Sequence, residues 1–296
     1  MQKATKLSAL VHVHIYYPEM WDELKSHLKN ITIPYDLYVT LVKPNSLLEN
    51  EIISFNPDTK ICLVENRGYD VWPFIKVLQG VNLDNYKFII KMHTKRNTEN
   101  IDVNGYLFAN NEWRKSLLRF VDSRQRFEKA LNSFNNDPSL GMVTSFDCIQ
   151  PMKKYKDVIQ YAKKNFPHHV FGLRNYSFVA GTMFMARASI FKPIQKMKIF
   201  AEMFDIPDKE HSLQFAHVLE RVFGEAVEFA GLKIKDVTST EIERKKPRQF
   251  QGFDINILGF SLLKLKKTKK GKYLLKFCKI PIFSFLPYKK SKGEKI

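Results

Sequence analysis

Hydrophobic and polar positions follow a repeating order over roughly the first 95 residues of the chain. Residues 7–16 alternate, with Val11, Val13 and Ile15 on one side, which predicts a strand. Pro18 then opens a stretch with apolar residues at helical spacing. The apolar runs at 36–42, 60–64 and 86–92 predict three further strands, and residues 67–78 predict a helix. This β–α–β–α–β order predicts a mostly parallel sheet with helices on its faces.

The rest of the chain has a helical middle, two further strands and a final segment of different composition. Helices are predicted around 113–134 and 212–223, and strands at 141–146 and 177–186. After Gly259, lysines and apolar residues are mixed. The sequence therefore predicts a single Rossmann-type α/β domain with a mostly parallel central sheet over 1–258, and a basic appendage over 259–296.

Basic residues outnumber acidic ones, and the excess is concentrated at the end of the chain. The sequence has 48 Lys and Arg against 30 Asp and Glu, a net charge of +18. Residues 261–296 contain 12 Lys and one acid, Glu294. Nucleic acid, anionic lipid and anionic small molecules are therefore candidate partners.

Cysteine spacing and the length of apolar runs narrow the class of protein. Cys62, Cys148 and Cys278 are far apart, which excludes a disulfide framework or a Cys-based zinc site and is typical of a reducing cytosol. We find no signal-peptide pattern. No uncharged apolar run approaches the ~20 residues that span a bilayer. We expect a soluble or peripheral protein.

Residues 65–70 join the third predicted strand to a helix. Gly68 permits a tight turn, the helix N-terminus offers free N–H groups to an anion, and Arg67 adds a fixed positive charge. The alternative is an ordinary turn with Asp70 capping the helix. Spacing alone does not separate the two interpretations.

Residues 91–96 follow the fourth predicted strand. Lys91, His93 and Lys95 supply cationic or protonatable groups, and Thr94 supplies a hydroxyl. Such groups stabilise an anion such as a diphosphate without a metal ion. The alternative is a solvated basic loop, but a polar run directly after a buried strand favours the functional interpretation.

Two further sets of residues carry weaker signals. Gly181 lies inside the apolar run 177–186, where a glycine indicates close approach of a ligand or backbone, or simply core packing. His217, Glu220 and Arg221 have the spacing of one helical face. They either orient one another near a site or form a surface ion pair, and spacing leaves both open.

Seven segments, taken in order, resemble the rhamnan synthesis protein F family of bacterial polysaccharide glycosyltransferases over residues 7–232. The segments are HIYYPEM, YDLYVT, ENRGYDVWPF, YKFIIKMHTK, NEWRKSLL, GTMFMAR and AHVLERVFG. The resemblance implies a GT-A-like fold and an activated sugar as donor, often dTDP-rhamnose. It implies a growing surface polysaccharide or a lipid-linked glycan as acceptor.

The resemblance also implies roles for the matching positions. Donor binding is expected from His14, Tyr17, Asp36, Asn66, Arg67, Gly68, Asp70, Lys91, His93, Thr94 and Lys95, with the base of the nucleotide near Tyr16, Tyr17 and Asp36. Acceptor-side or supporting roles are expected from Arg114, Gly181, Thr182, Arg187, His217, Glu220 and Arg221. Tyr69 departs from the pattern, in which a basic residue is more usual, and this alters the expected donor contacts.

An inverting transferase needs a general base for the acceptor hydroxyl, and carboxylates are the usual choice. The candidates are Asp208, Glu210 and Asp70, in that order of preference. Related enzymes place an acidic pair after the fourth strand to hold a divalent metal on the diphosphate. Here His93, Thr94 and Lys95 stand there, so we expect no metal and no other cofactor.

The basic segment 259–296 is expected to lie on an anionic membrane surface, because each nearby Lys contributes ~1 kcal/mol of attraction. The alternatives are a disordered tail or a β-hairpin packed on the body. The expected location is the inner face of the cytoplasmic membrane, as a peripheral protein. Two other functions remain open: a catalytically inactive scaffold, and a nucleic-acid-binding protein. No helix-turn-helix, zinc-finger, RRM or KH signature supports the latter.

Overall fold

The computed structural model describes residues 7–96, 101–103, 106–108, 111–172, 175–207, 213–238, 252–257, 260–267, 273–277 and 280–285. The chain separates into two compact units, Met1–Ile242 and Glu243–Ile296. The domain boundary predicted from the sequence is later, between residues 258 and 259. The strand at 252–257 belongs to the second unit.

The first unit alternates strands and helices through its first half. The strands are β1 Leu7–Ile15, β2 Tyr35–Leu41, β3 Lys60–Leu63, β4 Tyr86–His93, β5 Ile101–Val103, β6 Tyr106–Phe108, β7 Leu140–Thr144, β8 Ile149–Pro151, β9 Ser177–Val179, β10 Phe184–Arg187 and β11 Lys233–Asp236. The helices are α1 Trp21–Leu28, α2 Ser46–Phe55, α3 Val71–Gln79, α4 Glu112–Leu118, α5 Arg124–Asn136, α6 Lys156–Asn165, α7 Lys192–Gln195 and α8 Phe215–Phe229.

A seven-stranded sheet forms the centre of this unit, in the order β11-β7-β10-β4-β1-β2-β3. Neighbouring strands run parallel, except that β10 is antiparallel to both β4 and β7. All residues of β4 except Lys87 are buried, as expected for a strand covered on both faces. The predicted α/β fold with a mostly parallel central sheet is confirmed.

Phenylalanines bind the helices to this sheet. Phe74 on α3 contacts Phe191 and Phe223 edge-to-face, with ring centroids 5.3 Å and 5.5 Å away. Phe184 on β10 completes the group at 6.2 Å from Phe74. Each such aromatic pair adds ~0.5–1.5 kcal/mol beyond the area it buries. The cluster forms a rigid apolar floor, and Lys91 Nζ lies 5.5 Å from the centre of the Phe74 ring.

Two local predictions were wrong, and one helix was missed. The helix predicted from residue 67 begins at Val71, because Gly68 and Tyr69 have φ of +59° and +55°, which a right-handed helix does not contain. The single strand predicted at 177–186 is two strands in different sheets, β9 and β10. Helix α2 was not predicted at all, although Asn45 caps it by accepting the Leu48 N–H at 3.1 Å.

The second unit is a four-stranded antiparallel sheet in sequential order. Its strands are β12 Gly252–Ile257, β13 Phe260–Lys267, β14 Tyr273–Phe277 and β15 Ile280–Phe285. In the register of β13 and β14, Leu265 is opposite Leu275 and Lys264 is opposite Lys276. Within the described parts of the chain, no helix is long and apolar enough to cross a membrane.

Candidate active site

The polar residues of interest meet where the strand order of the central sheet reverses. From β1, the chain adds β2 and β3 on one side and β4 on the other. Ligands of open α/β sheets bind beyond the carboxyl ends of the strands at such a switch point. His14 near the end of β1 is aligned with Thr40 of β2 and with His93 of β4. The residues that follow β1, β2 and β4 therefore lie close together at the carboxyl edge of the sheet.

Thr94 joins the ends of β1 and β4. Its backbone N–H donates to the His14 carbonyl at 3.0 Å. Its hydroxyl oxygen accepts the backbone N–H groups of Tyr16 at 2.9 Å and Tyr17 at 3.1 Å. Thr94 is buried and fixes the path of the chain beyond β1, so its role is to hold the rim of the site.

A buried ion pair lies beneath this rim. Lys91 is fully buried on β4, and its ammonium donates to Asp70 Oδ2 at 2.5 Å, to Thr182 Oγ1 at 2.9 Å and to the Thr182 carbonyl at 3.2 Å. These acceptors match the three hydrogens of the ammonium. Asp70 also accepts the Thr182 hydroxyl. Lys91 is therefore a fully bonded internal cation.

The pKa values of both partners follow from burial and mutual attraction. Burial lowers the pKa of Lys91, and Asp70 opposes that change. Burial by itself raises the pKa of Asp70, but His93, Lys91 and Thr182 together hold it well below its ordinary value. Removing one member of such a pair leaves a buried charge without compensation. Asp70 is therefore an ionised partner of Lys91 and a poor proton acceptor.

Three histidines line the same interior. His12 Nε2 and His14 Nδ1 each lie 3.0 Å from Thr40 Oγ1, and the tautomer of each ring sets whether its nitrogen donates or accepts. His93 Nδ1 is 3.5 Å from Asp70 Oδ2. Burial lowers the pKa of His14 to about 4 and lowers the pKa values of His12 and His93 well below the ordinary value. These rings are neutral at pH 7.

The interpretation of residues 91–96 as a solvated basic loop is wrong for its first half, because Lys91, His93 and Thr94 are buried. The functional interpretation also changes, since neutral His93 and fully bonded Lys91 do not offer a cation to a diphosphate. Lys95 is half-buried at the rim. Arg114 on α4 donates to the Lys95 carbonyl at 3.3 Å, which fixes this part of the rim.

Two turns with left-handed backbone meet at Asp70. Gly68 and Tyr69 directly precede it, and Gly181 and Thr182, with φ of +80° and +49°, bring the Thr182 hydroxyl to it. A Cβ on Gly68 would lie 2.3 Å from the Phe204 ring, and one on Gly181 would lie 2.5 Å from Leu117 Cδ2. Left-handed conformations of non-glycine residues persist only where the surroundings enforce them, typically at functional sites.

Arg67 holds the first turn from outside. Its Nη1 donates to the Phe204 carbonyl at 2.9 Å, and the Gly68 N–H donates to the Asp205 carbonyl at 3.2 Å. The turn is thus tied to residues 204–205. Arg67 therefore stabilises the turn, whereas the sequence predicted that its charge would contact an anionic ligand.

The face of α8 that bears His217, Glu220 and Arg221 points at both turns, so the interpretation as a surface ion pair is wrong. Glu220 Oε1 accepts the Gly181 N–H at 2.8 Å, and the other oxygen of Glu220 bonds to Arg221. The His217 ring lies 5.9 Å from the Tyr69 ring. This helix face supports the site.

Two predicted site residues lie at the other end of the sheet. Asp36 is near the start of β2, four residues before Thr40, or ~13 Å along a strand. It accepts the Tyr86 hydroxyl at 2.6 Å. Arg187 is aligned with Phe88 of β4 and donates to the Leu140 carbonyl at 2.7 Å. The prediction that Asp36 and Arg187 join the site is wrong, because strand direction carries them away. Asp208 and Glu210 lie outside the described residues.

An open cleft of about 410 Å³ adjoins the rim over the carboxyl ends of β1 and β2. It is lined by Ile15, Tyr16, Pro18, Leu41, Val42, Lys43, Pro44, Asn45, Leu48 and Asn66. Asn66 was predicted as a donor contact, and Tyr16 was expected near the base. Lys43 and Asn45 were missed, although their position directly after β2 was a usable signal. The Tyr17 ring lies beside this cleft, 4.3 Å from the Arg96 guanidinium.

The described residues contain no group of three or more His, Cys, Asp or Glu side chains that could hold a metal ion. Asp70 is the acidic group within the buried cluster, and Lys91 and Thr182 already bond to its Oδ2. The residues at the switch point therefore do not fit a divalent metal in this arrangement.

Fold and site together define an α/β protein with a ligand cleft at the switch point of a mostly parallel sheet, built on a buried ion pair. The rhamnan synthesis protein F family matches residues 1–230, and the chain belongs to this family. The resemblance found in the sequence is confirmed.

Two curated relatives come from two strains of Xanthomonas campestris pv. campestris and are both called uncharacterized protein WxcX. Each is 25% identical over 242 residues, covering 79% of this chain and 33% of the relative. The chain thus spans about a third of their length. The crystal structure of S. aureus TarS 1-349 is similar over 66% of this chain and 53% of that chain, with 11% identity and a TM-score of 0.34.

Proposed function

We propose that this chain is a glycosyltransferase that moves a sugar, rhamnose in the first instance, from a nucleoside-diphosphate sugar to a growing surface polysaccharide or a lipid-linked glycan. Family membership supports the class of reaction. The observation that carries the proposal is the cleft over β1 and β2, which adjoins a rigid polar cluster at the end of β4. A nucleotide in the cleft would present its diphosphate and sugar towards that cluster.

The cleft suits the nucleoside half of the donor. Tyr16 is 46% exposed and offers an aromatic face for a base to stack on. Lys43, Asn45 and Asn66 supply hydrogen-bonding groups around it. A mixture of apolar surface and a few polar groups is typical of small-molecule sites. Lys95, at the rim after β4, is the cation proposed to meet the diphosphate.

The chemistry breaks the bond between the sugar C1 and the diphosphate oxygen and forms a bond from C1 to the acceptor oxygen. The acceptor proton passes to a base, and the diphosphate leaves with the bonding electrons. Preorganised charge around the leaving group lowers the barrier most. Asp70 does not serve as base, since its carboxylate is bonded to Lys91 and Thr182 and its pKa is held well below its ordinary value. Asp208 and Glu210 remain the proposed candidates.

Thermal unfolding with added ligands tests the donor assignment. The probes are thymidine, uridine and guanosine diphosphates and dTDP-rhamnose, with a single-stranded oligonucleotide as the comparison ligand. A nucleotide at 100 times its Kd stabilises the folded chain by ~2.7 kcal/mol. Stabilisation by one nucleotide series supports the proposal. Stabilisation by the oligonucleotide alone would contradict it and favour nucleic-acid binding. Donor turnover would exclude an inactive scaffold.

Metal independence is part of the proposal and has its own test. Hydrolysis of the donor identified above is followed with excess EDTA, and then with Mg²⁺ or Mn²⁺ restored. We expect equal rates, because cations of the chain replace the metal at the leaving group. Loss of the rate in EDTA and its return with metal would refute this part.

We further propose that the second unit attaches the protein to the anionic inner face of the cytoplasmic membrane. Support comes from the 12 Lys and one acid in residues 261–296. Three successive pairs in the register of β13 and β14 are apolar, lysine and apolar, and the next two pair a lysine with Leu274 or Tyr273, so lysines and apolar residues are interleaved as in an interfacial segment. Co-sedimentation with vesicles of anionic lipid should be lost when the chain is cut after residue 242, while nucleotide binding persists. Equal sedimentation of both forms would contradict this.

A further inference from the structure

We propose that Glu220 is a positioning residue that sets the geometry of the buried Lys91–Asp70 pair through the backbone of the turn at Gly181 and Thr182. The inference rests on the proposed function only in so far as the Lys91–Asp70 pair serves the donor site. Its geometric content is independent of the reaction.

The turn needs an external restraint. Thr182 has φ of +49°, and a β-branched residue in this region is a genuine outlier. Gly181, at φ of +80°, brings the chain into this conformation, and its N–H donates to Glu220 Oε1 at 2.8 Å. The carboxylate of Glu220 therefore anchors the backbone directly before the strained residue.

The same turn supplies most of the bonding of Lys91. Both the hydroxyl and the carbonyl of Thr182 accept from its ammonium, at 2.9 Å and 3.2 Å. Two of the three acceptors thus depend on the conformation of one residue. If Thr182 relaxed to right-handed backbone, its carbonyl would turn away, and Lys91 would keep Asp70 alone.

Glu220 is itself held in place. Arg221 bonds to it and also donates to the His217 carbonyl at 3.1 Å. The Arg221 guanidinium lies 4.6 Å from the centre of the Phe178 ring and 5.0 Å from the centre of the Tyr155 ring, and these two contacts restrict its motion. The path of constraint therefore runs from α8 through Glu220 to the turn and then to the ion pair.

The test follows the Lys91 ammonium by ¹⁵N NMR of protein labelled at the lysine side chains. A buried, fully bonded ammonium exchanges slowly with water, so its signal is observable, and its loss in Lys91→Arg assigns it. We expect Glu220→Ala to shift this signal or abolish it. The Gly181 amide should then exchange roughly tenfold faster or more, as expected for loss of one charge-assisted hydrogen bond.

Glu220→Gln separates positioning from charge, because its one amide oxygen replaces the acceptor of the Gly181 N–H while the bond to Arg221 is lost, and we expect the Lys91 signal to return. Glu228→Ala makes the same change at an exposed position of the same helix and should leave the signal in place. If Glu220→Ala does not fold, Glu220→Asp, with a shorter reach, serves in its place with the same expected shift.

An unchanged Lys91 signal in folded Glu220→Ala, or in its Asp replacement, would overturn the inference. So would failure of Glu220→Gln to restore the signal. These outcomes are distinct from failure of the proposed function, which thermal unfolding of the unaltered chain with nucleoside diphosphates measures separately.

Discussion

Two lysine–aspartate pairs lie at opposite ends of the central sheet and differ in the distance between the charges and in the exposure of the lysine. At the switch point, Lys91 and Asp70 are 2.5 Å apart, with side chains 0% and 17% exposed. At the other end, Lys60 and Asp36 are 3.4 Å apart, with side chains 48% and 21% exposed. Similar residues therefore form a rigid internal charge cluster in one place and a hydrated surface contact in the other.

The difference follows from what surrounds each pair. Lys91 has the aromatic floor of Phe74 beneath it and the Thr182 turn beside it, so water cannot compensate its charge. Lys60 projects from the edge strand β3 into solvent and rests on the Tyr38 ring, 4.9 Å from its centre. A charge matters to function where the protein, and not water, determines its environment.

The largest expected effect is on stability when each lysine is removed. Lys91→Met leaves Asp70 buried without its partner and should lower the free energy of unfolding by ~3–5 kcal/mol. Lys60→Met should change it by ~0–1 kcal/mol. Urea denaturation measures both. Adding Asp70→Asn to Lys91→Met should recover part of the loss, and equal effects of the two single variants would abolish the comparison.

Acid should destabilise the switch-point end. The folded chain holds the pKa of His14 at about 4, below its ordinary value of 6.5, by burial. The unfolded chain therefore binds the proton first as pH falls, and this stability is present above pH 6.5 and lost between about 6.5 and 4. The difference amounts to ~3 kcal/mol. The lowered pKa values of His12 and His93 act in the same direction.

Urea denaturation at pH 7, 6 and 5 measures this slope. His14→Gln should flatten it, whereas His168→Gln, at an exposed position, is the matched control. Equal slopes in the unaltered chain and in His14→Gln would show that burial of this ring does not govern the acid response.

A comparison of two left-handed glycines should show how closely the site is packed. Gly68 and Gly172 have φ of +59° and +86°, so alanine is strained at both. Among the described residues, a Cβ at Gly172 meets nothing within 4 Å, whereas one at Gly68 meets the Phe204 ring at 2.3 Å. Gly68→Ala should therefore lower the free energy of unfolding by ~1–3 kcal/mol more than Gly172→Ala. Equal losses of stability in the two variants, measured by thermal or urea unfolding, would show that backbone strain and not the contact with Phe204 determines the effect.

The smallest expected effect concerns binding. Lys95→Ala should weaken nucleoside diphosphate affinity roughly tenfold or more, because a charge-assisted contact to phosphate contributes ~1.5–3 kcal/mol. Lys60→Ala should leave the affinity unchanged. Arg67→Ala should chiefly lower stability, since it removes the bond to the Phe204 carbonyl. Calorimetric titration and urea denaturation separate these results. Normal affinity in Lys95→Ala would remove this residue from the donor site.

Much of the fold could be predicted from the sequence. The strands near 7–16, 36–42, 60–64 and 86–92 are where the alternating and apolar runs placed them, because buried parallel strands need continuous apolar residues. Helix α2 was not predicted, although Asn45 is a residue type that commonly caps a helix N-terminus. The turn at Gly181 and Thr182 lies within the predicted strand 177–186. Its left-handed backbone could not be predicted locally, because it is stabilised by Glu220, a residue distant in sequence.

The sequence by itself determined the class of fold, the family and a set of polar residues that includes those of the site. Asp36 and Asp70 were both in that set as predicted donor-binding residues. Only the tertiary structure separated them, because strand direction put Asp36 at the far end of the sheet and burial joined Asp70 to Lys91. A short sequence pattern records chemical type, whereas charge state and partner depend on which distant segments exclude water.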